Sequence, residues 1–176
     1  MKIFKTQHVF DYSWDEVSLA AYRKYPNEHS PKVTAVDVLK RYVDKEGRLH
    51  SVRLIASCFS MWSAVPFVKM LGLEGSMFVI ERSVADPVEK TLTLRSRNIS
   101  LEGLINVFEV LQYRRDPVEP SKTLLTQEAS VTVAPCLISG FVEGRMIDVF
   151  SESAQNGRNA IVNVCEKIQK EQQSTV

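Results

Sequence analysis

Lys24, Lys32 and Arg53 are cations set among apolar neighbours, the arrangement that holds an anion. Arg23-Lys24-Tyr25-Pro26 ends a stretch with helical spacing, Lys32 opens a strand-like run, and Arg53 sits in the alternating segment Leu49-His50-Ser51-Val52-Arg53-Leu54. An Arg or Lys that faces inward must be paired, because an unpaired buried charge is very costly. Phosphate is a natural partner. Pairing with an inward carboxylate such as Glu81, Glu109 or Glu128 is the alternative, and it is at least as available to any one of these residues. Nucleophilic catalysis has much less to work with. His8, His29 and His50 are the only histidines, there is no GxSxG elbow, and both His29 (in a Pro/Asn turn) and His50 (in a strand-like run) read as surface or hydrogen-bonded residues. Cys136, behind Pro135 near a helix start, could be stabilised there as a thiolate but fits a small buried hydrophobe better. There is no GxxxxGK[ST] loop, and Cys58, Cys136 and Cys165 form no CxxC or Cys/His cluster, which argues against a disulfide framework and a structural zinc site. The expected chemistry is recognition, with no catalytic residue, metal or cofactor.

Composition narrows the partners. Lys plus Arg is 22 and Asp plus Glu is 21, a net charge of +1, so no global field marks the chain for nucleic acid, and anion recognition must be local. With 176 residues, 44% of them apolar, one domain spanning 1–176 with a sizeable core is expected. The apolar stretch from Met61 to Leu73 is broken by Pro66, Lys69 and Gly72, too short for a membrane span, so a soluble protein is expected. The first eleven residues have neither a secretory apolar core nor the Arg/Ser-rich character of a transit peptide.

The elements that must position the cations follow from periodicity. Two-residue alternation separated by turn signals predicts strands at Lys2–Phe10, Val33–Val43, Leu49–Cys58, Met77–Val84, Thr91–Ser100, Leu104–Tyr113 and Thr123–Val133, about seven in an antiparallel meander. Gly47 and Pro87 supply the turn conformations between neighbours. Ser13 with Glu16 three residues on is a capping box, and Trp14, Val17, Ala20 and Ala21 share one face of a short helix ended by Tyr25-Pro26-Asn27. From Ser139 to about Lys170, apolar residues recur at three and four, which predicts one long helix. The fold class is therefore α+β, with the long helix laid over the sheet.

Two segments depart from this pattern. Ser153, Asn156 and Gly157 interrupt the apolar stripe of the long helix. Either something polar lies against them, or Gly157 permits close approach to a strand and Ser153 bonds back to its own turn. The segment from Phe59 to Gly72, with Met61, Trp62, Val65, Pro66, Phe67 and Leu71, is too apolar for a surface loop. It fits a lid over an apolar cavity, a membrane-touching tip, or a short buried helix.

The chain also resembles the PRELI-like family of mitochondrial lipid-transfer proteins, in its slowmo branch. The likeness runs through His8-Val9-Phe10 with Trp14, Arg23-Lys24-Tyr25-Pro26-Asn27, Val36-Asp37-Val38-Leu39 with Arg41, Gly47 to Leu54, Val84 to Thr91, Asn98-Ile99-Ser100, Leu125 to Ala129, and Gly157-Arg158, in order along nearly the whole chain. The resemblance implies a curved antiparallel sheet backed by the C-terminal helix and enclosing a lipid cavity under a lid that maps to roughly Phe59–Leu71. It implies non-enzymatic transfer of an acidic glycerophospholipid, phosphatidic acid or phosphatidylserine, across the mitochondrial intermembrane space, with transient membrane contact. It also implies a small disulfide-bonded helical-hairpin partner. Lys24 and Lys32 match head-group-binding positions of the family, and Arg53, Ser153 and Asn156 complete the candidate set. Relatives carry lysine at Ser57 in some cases, and often Asn and Lys at Ser153 and Asn156, so the cationic pocket here is weaker. A lipid-sensing or partner-docking module without transfer is the alternative those departures permit.

Overall fold

A computed structural model describes residues 1–58, 76–134 and 139–174. The strands are β1 (Lys2–Phe10), β2 (Val33–Val43), β3 (Leu49–Cys58), β4 (Ser76–Asp86), β5 (Thr91–Asn98), β6 (Ile105–Arg115) and β7 (Thr123–Val133). Helix α1 spans Trp14–Arg23 and helix α2 spans Ser139–Gln173. All seven strands form one antiparallel sheet in the order β1-β7-β6-β5-β4-β3-β2. Strands β2 to β7 are the expected meander. β1 instead pairs with β7, so α1 and the segment after it carry the chain from one sheet edge to the other.

Local chemistry fixes α1. Ser13 Oγ accepts from the Glu16 amide at 3.3 Å, and the Ser13 amide donates to Glu16 Oε2 at 2.9 Å, closing the capping box. Burial opposes ionisation of Glu16, but hydrogen bonds from Ser13 and Gln169 outweigh it and hold the carboxyl below its ordinary value. Trp14, Val17, Ala20 and Ala21 are buried on the predicted face. Ser13→Ala should therefore cost about 1 kcal/mol, read as a lower urea midpoint at unchanged slope; an unmoved midpoint would show that the box does not anchor the helix.

Helix α2 runs unbroken through Gly157 and ends three residues beyond the expected Lys170. It joins two apolar clusters. Its C-terminal half packs Ile161, Val164, Cys165 and Ile168 with Trp14, Val17, Leu92, Leu94, Tyr113 and Leu125. Its N-terminal half packs Met146 and Phe150 with Ile105, Val131 and Val133. Glu143, 8% exposed, accepts from the Val133 amide at 3.2 Å and pairs with the Met1 ammonium at 3.0 Å, which ties this end to β1 and β7.

Candidate functional site

Ser153, Asn156 and Gly157 lie between the two clusters, and there they line a cavity of about 380 Å³ between α2 and the sheet. The apolar lining is Val33, Met77, Val79, Val107, Met146, Val149 and Phe150. Lys32, Ser57, Ser96, Glu109 and Glu152 supply polar groups, with Tyr25, His29 and Cys58 also on the wall. A Cβ built on Gly157 meets nothing within 4 Å. The glycine therefore does not serve close approach to a strand; its missing side chain leaves space in the cavity.

The candidate cations divide into two groups. Lys32 lines the cavity beside Ser153 and Asn156, and its ammonium is 3.8 Å from Glu152, a half-exposed pair that stabilises little and leaves the cation available to another anion. Arg53 does not line the cavity. It is 2% exposed and fully engaged, donating from Nε and Nη2 to Glu81 Oε1 at 2.9 and 2.7 Å and from Nη1 to the Tyr22 carbonyl at 3.3 Å. The register sets this pair, since Arg53 and Glu81 are direct partners on β3 and β4. Alternation turned Arg53 inward as expected, and the carboxylate alternative describes what it meets.

Lys24 is the C-cap of α1, 7% exposed, with Nζ 5.0 Å from the centroid of the Tyr25 ring, and it too is not part of the cavity lining. Among the described residues no carboxylate lies within 4 Å of its ammonium. Burial works to neutralise it, yet the attraction of Tyr25, Tyr113 and Glu81 prevails and holds its pKa above the ordinary lysine value. Burial also pushes the Tyr113 hydroxyl up to about 12. Two buried cations outside the cavity lining, Lys24 and Arg53, thus accompany Glu81, and Glu109 stands on the wall itself.

Glu109 is the residue that sequence reasoning placed only as a possible internal partner; the structure puts it on the cavity wall. Its Oε1 accepts from Gln127 Nε2 at 2.7 Å and its Oε2 from Ser96 Oγ at 3.4 Å. Burial is the main cause that raises its pKa, opposed by the Gln127 hydrogen bond and by Lys24. A carboxyl raised in the fold above its unfolded value destabilises the fold wherever it is ionised, and that cost fades as pH falls through the folded value. Glu109→Gln should therefore be neutral to stabilising at pH 7, with the advantage vanishing in acid, and should tighten retention of an anionic ligand several-fold by removing a like charge. Melting curves at the two pH values and a lipid-retention assay check both parts; weaker retention would place the ligand anion away from Glu109.

Asn98 also touches the cavity, but its side chain serves the fold: it donates to the Ser100 and Ile105 carbonyls at 2.6 and 2.8 Å and accepts from the Val107 amide at 2.8 Å, closing the β5–β6 turn. His50 is at the β2–β3 hairpin, 2.7 Å from Asp44 and stacked on Tyr42. The lid candidates Phe59, Met61, Trp62, Val65, Pro66, Phe67 and Leu71, and Cys136, lie outside the described residues. Among the described residues no cluster of His, Cys, Asp and Glu could hold a metal, and no helix is long and apolar enough to cross a membrane.

An antiparallel seven-stranded sheet with a long C-terminal helix over one face is an architecture shared with solved structures of very different sequence. The Zhui aromatase/cyclase of Streptomyces sp. R1128 matches with a TM-score of 0.62 at 12% identity, covering 94% of this chain and 95% of that one. A START superfamily protein of Mycobacterium smegmatis matches at 0.51 and 12% identity, covering 92% and 98%. The chain belongs to the PRELI-like family, whose model matches residues 15–172. It is 37% identical over 164 residues to Protein UPS2, mitochondrial, of Saccharomyces cerevisiae, covering 90% of this chain and 70% of that protein. It is 35% identical over 172 residues to UPS-like protein C36.10 of Schizosaccharomyces pombe, covering 96% and 91%. A slowmo homolog of Dictyostelium discoideum is 29% identical over 178 residues, covering 100% and 77%.

Proposed function

We propose that the protein carries one acidic glycerophospholipid, phosphatidic acid or phosphatidylserine, between membranes of the mitochondrial intermembrane space without turning it over. The observation that carries this reading is the polar gap in α2, where Ser153, Asn156 and Gly157 line, together with Lys32, a cavity whose wall also holds Val79, Val107, Met146, Val149 and Phe150. A lining of both polar and apolar groups suits an amphiphile. Lys32 and the polar side chains meet the phosphate, Lys24 lends positive potential from outside the lining, and the apolar lining receives the start of the acyl chains. At about 380 Å³ the cavity is at the small end of ligand sites. It has room for a head group and glycerol but not for two whole acyl chains, so the sheet would need to curve around the chains with Phe59–Leu71 as the lid over them. Each methylene taken from water contributes about 0.8 kcal/mol, which lets such an enclosure compete with a bilayer.

The compartment and the partner, a small disulfide-bonded helical hairpin, belong to the same proposal; membership in the PRELI-like family and the mitochondrial name of one relative support it. Depleting that partner should reduce the tagged protein in mitochondrial fractions, and a purely cytosolic pool unaffected by depletion would count against it. Native mass spectrometry tests the cargo. The expected spectrum shows one acidic phospholipid per chain, released intact; a chain that stays empty after incubation with both lipids would defeat the reading.

A further inference from the structure

We propose that Ser30 is a phosphorylation site whose phosphate closes the cavity to anionic lipid. The sequence supplies the acceptor: of the seven prolines only Pro31 follows a serine or threonine, so Ser30-Pro31 is the one dipeptide in the chain that a proline-directed Ser/Thr kinase reads. Ser30 is half-buried in the irregular connection between α1 and β2, and it lies on the cavity wall with His29 and Lys32. Among the described residues its hydroxyl has no hydrogen-bond partner. The fold therefore does not use the oxygen that the modification takes.

Backbone hydrogen bonds hold the loop. The Ser30 amide donates to the Asn27 carbonyl at 2.9 Å, and the Ser30 carbonyl accepts from the Val33 amide at 3.0 Å, so two successive turns share Ser30. In the second turn Pro31 takes the position that its fixed φ suits, and Lys32 follows it. A serine at the first position of a turn can bond the amide two residues on. Here that is the Lys32 amide, which donates to no described residue. A phosphoryl group on Ser30 Oγ is thus met by the Lys32 amide and, on the same wall, by the Lys32 ammonium, whose 3.8 Å pair with Glu152 is weak enough to exchange.

The group comes from a nucleoside triphosphate. The bond from Ser30 Oγ to the γ-phosphorus forms as the bond to the β,γ-bridging oxygen breaks, the nucleoside diphosphate leaves, and the hydroxyl proton passes to the kinase's base. The product carries about −1.5 to −2 charges at pH 7. Lys32 is the only lysine on the described cavity wall, and Arg97, also there, is held by Glu102 at 3.0 Å. Glu109 and Glu152 share that wall, so once Lys32 is engaged the acids and the new phosphate stand unopposed. A lipid phosphate then meets repulsion where it met a cation, and loading stops until a phosphatase removes the group. This inference rests on the lipid reading of the cavity.

The test treats the full chain with a recombinant proline-directed kinase and magnesium ATP, maps the phosphate by tandem mass spectrometry, and measures loading of phosphatidic acid and phosphatidylserine from vesicles. Modification is expected at Ser30, with loading of both lipids reduced about tenfold or more. Kinase treatment should leave Ser30→Ala at its own untreated level. A second readout needs no lipid: by phosphorus NMR the phosphoserine should lose its last proton below its usual value of about 6, and return to that value in Lys32→Met. A folded chain that the kinase leaves unmodified at Ser30, or a phosphoserine whose titration ignores Lys32, would overturn the proposal. So would a modified chain that loads as well as the unmodified one. An untreated chain that loads neither lipid would sink the lipid reading and the closure with it, and the titration tells that case apart because it reports the Lys32 contact by itself.

Discussion

Gly157→Leu should yield a protein that is more thermostable than the wild type and unable to load lipid. Glycine inside a helix costs about 0.5–1 kcal/mol relative to alanine, and leucine is nearly as good a helix former. A Cβ at this position meets nothing within 4 Å, so the new side chain enters the cavity without a clash. It occupies the volume between Ser153 and Asn156 that the lipid would need, and each methylene kept out of the cavity loses about 0.8 kcal/mol of binding. Excluding the glycerol and the first few methylenes should reduce loading by more than a hundredfold. Thermal melts and lipid co-purification together check this. A stabilised variant that loads normally would show that the α2 gap is not where the ligand sits.

Lys24→Glu and Lys32→Glu should separate the two cations by mechanism. Lys24 is buried and already interacts with Glu81 and Glu109, so a third carboxylate there is uncompensated and should destabilise the fold by about 3–5 kcal/mol. Lys32, with a side chain 41% exposed, tolerates the change, although it then faces Glu152. Its loss removes a hydrogen bond to a charged group, about 1.5–3 kcal/mol, so extraction of anionic lipid should fall roughly ten- to a hundredfold in a folded protein. Lys24→Met keeps most of the stem and removes only the charge, and it should fold while retaining anionic lipid less well. Urea melts and lipid extraction distinguish these outcomes; a Lys32→Glu protein that extracts as well as the wild type would remove Lys32 from the phosphate site.

The elements were readable because they rest on local chemistry. The Ser13–Glu16 box, the two-residue alternation and the three-and-four spacing of α2 each require only neighbours in sequence, and all appear as expected. The place of β1 was not readable, because pairing with β7 is a choice between two distant edges that no local pattern states. Arg53 shows the same limit at one residue: alternation turned it inward, but its pairing with Glu81 depends on the β3–β4 register, set across a long connection. The polar gap at Ser153, Asn156 and Gly157 was visible as an anomaly. Its meaning came from the two apolar clusters on either side, which only the packed structure brings together. Glu109 carried no distinguishing signal, since an acid in an alternating strand is ordinarily a surface residue or an internal ion-pair partner.

The most direct measurement is transfer of fluorescent phosphatidic acid and phosphatidylserine from donor to acceptor vesicles by the purified chain, with and without the proposed hairpin partner, with lipid extracts of both vesicle pools compared before and after. The account predicts faster appearance of at least one of the two acidic lipids in the acceptor, with the lipid chemically unchanged and a neutral-head-group control left behind. Transfer of neither lipid, or its conversion to a product, would contradict it.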